Sequence, residues 1–297
     1  MNPQTSCLGH GSWSVWGFYL AGLNKLFSGL TTKTNIKIRN VPDGTRIVVV
    51  SDMQIPMEDQ KLLATIFEDF VPAWKPEDER AEYHLFLNGD VMDQFSLSGW
   101  MPRVKKKFDL DKEVDLTKAY LDAWGKEFTH KHFVFGNHED RWDRVLFANN
   151  PEMEKYATRL HDVLELEAKG YDWVPYLKHY DFCGFIITHG DTTVKNAAQR
   201  MLETYGAPGT SGHVNRPQSF TWAAAARGEP ITWYCTGMTC VRNIGDVIAD
   251  WRKIQPWQQG FLVGEVHGGV LHVQLVRVIK GGFWAGGKFY RVRKTGK

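Results

Sequence analysis

The sequence is poor in the features that mark secreted, fibrous and membrane proteins. Its four cysteines, Cys7, Cys183, Cys235 and Cys240, form no CxxC pair. That excludes a zinc ribbon and a small disulfide scaffold, and leaves reduced thiols in a cytoplasmic protein as the simplest reading. Charge of one sign is scarce too: the formal balance is +2 over 297 residues, too little for a strong global attraction to nucleic acid. No internal repeat or low-complexity tract is visible. An amphipathic stretch near the start, residues 13–30, places Trp16, Tyr19, Leu20, Leu23, Phe27 and Leu30 on one helical face. No lysine or arginine precedes it, so it lacks the basic start of a signal peptide. Its Asn24, Lys25 and glycines argue against a membrane span. The remaining readings are a helix packed on its own protein or a sister subunit, or one lying on a partner or membrane surface.

What is present is an ordinary globular balance, 43% hydrophobic and 24% charged, in a chain long enough for one large domain or two small ones. The spacing predicts an N-terminal extension over 1–40, carrying the amphipathic helix, and one domain over 41–297. The run Ile47-Val48-Val49-Val50 stops at "SDMQIP", as a buried parallel strand does when it delivers an acid at its end. A helix over 59–74 follows, then a strand in "YHLFLNGD". A loop with Arg103, Lys105, Lys106 and Lys107 leads to a helix over 112–129. "HFVFGNHED" supplies a third strand, helical patterns fill 139–169, and "FCGFIITHGD" supplies a fourth strand. A helix over 193–204 precedes "GTSGHVNRPQ". From 218 onward the chain alternates and turns, predicting antiparallel strands that close a second sheet.

Five strand ends thus deliver Asp52, Asp90, Asn137-His138, His189 and His213. Each alone is an ordinary turn residue or structural histidine. Together, at one sheet edge, they are the donors from which a hydrolytic metal site is built. The ordered set Asp52-x-Gln54, Gly89-Asp90-x-x-Asp93, Gly136-Asn137-His138-Glu139, His189-Gly190 and Gly212-His213-x-Asn215 resembles the calcineurin-like metallophosphoesterase superfamily, phage-encoded members most of all. The resemblance spans about residues 45–280. It implies a four-layer α/β/β/α sandwich with two divalent metals at the strand ends, and, for a phage protein, the host cytoplasm.

Carried over by motif, the resemblance makes Asp90 the bridge between the metals. Asn137, His189 and His213 complete the second site, and Asp52, Gln54 and Asn215 serve the first. The family usually has histidine where Gln54 and Asn215 stand, so the departures fall on one metal only. Oxygen-rich surroundings favour Mn²⁺ or Mg²⁺ over Ni²⁺ or Zn²⁺. An Asp-x-Gln motif also occurs in the superfamily's manganese-dependent ADP-ribose/CDP-alcohol diphosphatases. His138 takes the family's acid or transition-state role, and Asp93 matches the carboxylate that orients it. Gln94 stands where the serine/threonine phosphatases have arginine, which argues against a phosphoprotein substrate. Arg141 and Arg216 are the candidate phosphate contacts.

The expected activity is therefore hydrolysis of a phosphomonoester, phosphodiester or nucleotide. Two other readings compete with it. A nuclease is suggested by the 103–107 run and by a tail that mixes Lys288, Arg291, Arg293, Lys294 and Lys297 with Phe283, Trp284, Phe289 and Tyr290. A phosphate- or partner-binding protein with a degenerate first site is suggested by Gln54 and Asn215. His267, His272, Cys235 and Cys240 are read as structural.

Overall fold

The apolar run that predicts the first strand forms β2 (Arg46–Val50), and a short strand, β1 (Ile36–Ile38), precedes it. The structure is a computed structural model that describes residues 34–98, 109–147, 152, 156–223, 228–241 and 257–293. The helix predicted over 13–30, the basic run 103–107, Cys7, Lys294 and Lys297 lie outside the described residues.

After β2 come β3 (Tyr83–Asn88), β4 (His130–Val134) and β5 (Tyr171–Val174), each parallel to the one before. The predicted strand "FCGFIITHGD" is instead a tight hairpin. Its arms are β6 (Tyr180–Phe182) and β7 (Phe185–Ile187), turned at Cys183 and Gly184, both with positive φ. With β8 (Gly209–Ser211), β9 (Gln218–Trp222) and β10 (Ile231–Cys235), the hairpin builds a second sheet in the order β1-β6-β7-β8-β10-β9. Ile36–Ile38, inside the segment set apart as 1–40, is the edge strand of that sheet.

The expectation that everything after 218 belongs to the second sheet is corrected at β11 (Gly260–His267) and β12 (Val270–Arg277). These extend the first sheet through β2, giving β12-β11-β2-β3-β4-β5. Both faces of β11 are buried, so its alternation carries no mark of which sheet it joins. A last ribbon, β13 (Gly282–Ala285) with β14 (Lys288–Arg291), forms a separate sheet and packs Phe283 and Tyr290 against Phe70.

The helices account for the remaining layers. Asp59 caps α1 (Gln60–Ala64) through Leu62 N, and a π-helical stretch, Thr65–Phe70, leads into α2 (Val71–Ala73). Then come α3 (Leu110–Trp124), α4 (Asp140–Phe147), α5 (Leu160–Val163) and α6 (Ala197–Tyr205). Among the described residues of the helix pattern over 139–169, Asp140–Phe147 and Leu160–Val163 are helix, while Arg159 is extended and residues 164–170 form turns before β5. Three cores separate four layers. Leu62, Ile66, Phe70 and Leu121 pack on Val48, Leu85 and Phe133. Ile47, Val49, Phe86 and Val134 meet Tyr180, Phe182 and Ile187 between the sheets. Ala197, Met201 and Leu202 of α6 cover Ile186 and Trp233. This is the four-layer α/β/β/α sandwich. A fully buried ring such as Phe86, which joins the sheets, is worth about 3–5 kcal/mol against alanine. No helix among the described residues is long and apolar enough to cross a membrane.

Candidate metal centre

The strand ends meet, but not along one sheet. Asp52, Asp90 and Asn137 leave β2, β3 and β4 of the first sheet, whereas His189 and His213 leave β7 and β8 of the second. The site is a seam between two sheets. It is stitched by His213 N, which donates to the Asp52 carboxylate at 3.0 and 3.2 Å, and by Asn88 Nδ2, which donates to Thr188 O at 2.9 Å.

The loops run side by side. Asp52 N bonds to Gly89 O, Gln54 N to Asp90 O, and Ile55 N to Val91 O, so "SDMQIP" continues the pairing of β2 and β3 beyond their ends. Reversing direction there forces side chains into left-handed backbone. Asp52, Gln54, Asp90, Gln94, His213 and Asn215 all have φ between 49° and 68°. Such conformations are costly for non-glycine residues and persist where surrounding contacts over-determine them.

Two glycines of the motifs are there for room. A Cβ on Gly136 would strike Asp90 Oδ1 and its amide, and one on Gly212 would strike Ser51 Oγ and Asp52 Oδ2. Gly136→Ala should therefore displace the Asp90 carboxylate and weaken metal binding at least tenfold, with secondary structure kept. Calorimetric titration beside circular dichroism checks both halves, and unchanged affinity would show that Asp90 tolerates the methyl group.

Asp90 lies at the centre and is 2% exposed. Its Oδ1 accepts from His138 N at 3.0 Å, and its Oδ2 faces His189 Nε2 at 3.3 Å and His138 Nε2 at 3.6 Å. Burial opposes ionisation of Asp90, but the His138 and His189 imidazoles outweigh it and hold the carboxyl well below its ordinary range. His189 is likewise disfavoured as a cation by burial, yet Asp90 pushes it up to about 10. Burial pushes Asp52 up to about 7, with the neighbouring Asp90 charge adding to the rise. His213 moves the other way, down to about 4, through burial and the nearby His189.

The donor set fits cations. His189 Nδ1 contacts Asn88 O at 2.9 Å, and because a carbonyl only accepts, that nitrogen carries the hydrogen. Its Nε2 faces Asp90 Oδ2 at 3.3 Å, so it carries the second proton when no cation is there and would free a lone pair for a cation that replaced that proton. Asn215 Oδ1 is buried and has no hydrogen-bond partner. The ligand atoms of Asp90, His189 and His213 lie within 4.8 Å of one another, and Asn137 Oδ1 is 2.7 Å from His213 Nδ1. Gln54 joins through its backbone, while its side-chain oxygen faces the Cys240 thiol at 3.7 Å.

His138 Nδ1 and Asp93 Oδ1 are 3.2 Å apart. Arg141 Nη1 donates to Asp93 O at 2.7 Å, which sets a guanidinium beside this pair. Arg216 donates to Val194 O and Lys195 O and lines a cavity of about 580 Å³ with Lys195, Gln218, Phe220 and Arg277.

Sequence reasoning missed two organising residues. Glu139, 1% exposed, accepts from the amides of Asp90, Met92 and Gly136 at 2.8–2.9 Å and so clamps two ligand loops. Asn88 sets the His189 tautomer. Their signals were in view, as the fourth letter of "GNHE" and the first of "NGD".

Residues 45–223 match the model of the calcineurin-like phosphoesterase family. The gene 54 protein of Mycobacterium phage L5 is 26% identical over 267 residues, covering 83% of this chain and 99% of its own. The gene 54 protein of Mycobacterium phage D29 is 26% identical over 269 residues, with the same coverage. Among solved structures, a zinc complex of Vps29 from Entamoeba histolytica aligns over 84% of this chain and 98% of its own. It does so at 10% identity and a TM-score of 0.39.

Proposed function

Because the chain belongs to the calcineurin-like phosphoesterase family, we propose that it hydrolyses phosphate esters with two divalent cations at the seam between its sheets. Asp90 would hold both; Asn137, His189 and His213 would complete one shell, and Asp52, Gln54 and Asn215 the other. The observation that carries this reading is the buried cluster of Asp90, His189 and His213 donor atoms within 4.8 Å of one another, together with the buried Asn215 Oδ1 that has no hydrogen-bond partner. Two bound cations supply positive charge that polarises a phosphoryl group and acidifies an attacking water. The chain's own contribution is placement. Asn88 and Asp90 fix the His189 ring, and Glu139 fixes the Asp90 loop. His138, oriented by Asp93, faces the centre as a proton donor to the departing oxygen. Arg141 supports that pair and meets the substrate's phosphate.

The cavity beside Arg216 favours a substrate with a further anionic or aromatic part, because Lys195, Arg216 and Arg277 flank Phe220 there. Nucleotides and single-stranded nucleic acid both meet that description. The test is a panel of p-nitrophenyl phosphate, its bis ester, nucleotides and labelled single-stranded DNA, assayed with Mn²⁺, Mg²⁺, Ni²⁺ and Zn²⁺. Turnover of a small ester or nucleotide supports the main reading, and cleavage confined to DNA makes the protein a nuclease. No turnover of any substrate, with fewer than two ions bound per chain, would leave a phosphate- or partner-binding protein with a degenerate first site.

The first shell makes a prediction of its own. Amide oxygens bind borderline metals less strongly than imidazoles do, so Mn²⁺ or Mg²⁺ should be preferred there. Gln54→His with Asn215→His should tighten that site and turn its preference toward Zn²⁺ or Ni²⁺. Titration calorimetry with Mn²⁺ and Zn²⁺ decides, since an unchanged metal order would mean that neither side chain reaches the ion.

A further inference from the structure

A second set of metal-type donors sits at the other end of the first sheet, roughly 20 Å from the seam along β3. Glu82 and His84 stand at the start of β3 and His130 at the start of β4, and the strand register makes His84 and His130 cross-strand partners. The ligand atoms of Glu82, His84 and His130 lie within 4.8 Å of one another.

Two imidazoles and two carboxylates form a chain there. Glu82 Oε2 is 2.8 Å from His84 Nε2, His84 Nδ1 is 2.9 Å from His132 Nε2, and His132 Nδ1 is 2.6 Å from Asp172 Oδ1. Each of these three links needs one hydrogen. Ionised carboxylates bring none, and two neutral imidazoles bring one each. The chain is therefore short by one positive centre.

The geometry says where the shortage falls. Asp172 has the shortest link, so His132 Nδ1 donates to it, and His132 Nε2 must then accept from His84 Nδ1. His84 is left presenting a bare Nε2 lone pair to the Glu82 carboxylate. Its ring is 2% exposed and packed against Phe86 and Phe182, where an imidazolium would find little solvation. Beside the gap, His130 stacks on His84 at 4.6 Å and sets its Nε2 3.8 Å from Glu82 Oε1. The His130 side chain is 49% exposed, which gives an ion a route in from solvent.

We propose that Glu82, His84 and His130 bind a borderline transition-metal cation of the Zn²⁺, Ni²⁺ or Cu²⁺ class, remote from the catalytic centre. His132 and Asp172 act behind it, fixing the His84 tautomer as carboxylates and carbonyls do for metal-bound histidines elsewhere. Two imidazoles and one carboxylate suit these ions and leave a position open to water. The ion joins the starts of β3 and β4.

The test uses full-length protein stripped of metal and titrated with Zn²⁺ alone, comparing wild type with His130→Ala and Glu82→Gln. Bound zinc per chain is counted by atomic emission, and Mn²⁺-supported turnover is measured in parallel. Each variant should hold one equivalent fewer than wild type and keep wild-type turnover. Equal zinc counts in all three proteins would overturn the proposal, because a proton would then fill the short link. A variant that loses turnover together with its zinc would place the lost ion at the catalytic seam, and would overturn it equally. A failure of the phosphoesterase reading leaves the zinc count intact as a measurement.

Discussion

Asp90→Ala should abolish phosphoester hydrolysis and lower the number of bound cations together. The Asp90 side chain contacts site residues from both sheets. Its Oδ1 holds the His138 amide and its Oδ2 faces both His138 and His189. In the proposed centre, removing it would take a donor from both cations and leave two imidazoles without their carboxylate partner. A tenfold loss corresponds to only about 1.4 kcal/mol, far less than two metal ligands and the placement of the attacking water. Turnover should therefore fall by at least about 10³. Retention of more than a tenth of the wild-type rate would refute the bridging role. Asp90→Asn keeps the shape and one oxygen, so it separates loss of ligation from loss of fold. It should keep the wild-type circular dichroism and still lose metal, as read by atomic emission after desalting.

The fold and the site were legible in the sequence to different depths, for physical reasons. The strands that end at Asp52, Asp90 and Asn137 are short apolar runs stopped by polar turns, a local signal that needs no partner to be read. The hairpin of β6 and β7 is equally local, but its turn falls on Cys183-Gly184, and cysteine is no turn marker; the stretch therefore read as one strand. The membership of β11 was beyond local reading, since sheet partners are fixed by pairing across more than 200 residues. The same limit hid the seam. His189 and His213 look like further members of one edge until β7 and β8 are seen to belong to the other sheet.

Roles that depend on a hydrogen bond across the fold were hidden for a related reason. Glu139 reads as a charged residue beside a histidine, and only its three amide partners make it a clamp. Gln54 and Asn215 mark the reverse case. Their departure from the family pattern was plain in the sequence, while the structure leaves Asn215 Oδ1 without a hydrogen bond and turns the Gln54 oxygen to Cys240. The two amides are thus unequal, and Asn215 is the stronger candidate to touch a cation.

His138→Ala should leave the metal content at its wild-type value and reduce turnover by roughly 10²–10⁴, the range for loss of a positioned acid. The contrast with Asp90 is the point of the experiment. Burial disfavours the His138 cation, but Asp90 and the Asp93 contact overcome it, and the group stands above its ordinary range. A raised value means that the protonated, donating form persists above the usual histidine range and is lost as pH climbs through it, so activity should fall on the alkaline side. When cations occupy the seam, they offset the Asp90 charge, and Asp93 is left as the group that sustains the imidazolium. Asp93→Asn should then shift the alkaline limb of kcat to lower pH, with metal content unchanged. A pH profile of both variants against wild type, run with saturating Mn²⁺ and counted ions, checks each part. Metal lost with His138 would make that residue a ligand, and an unmoved alkaline limb in Asp93→Asn would detach Asp93 from the proton.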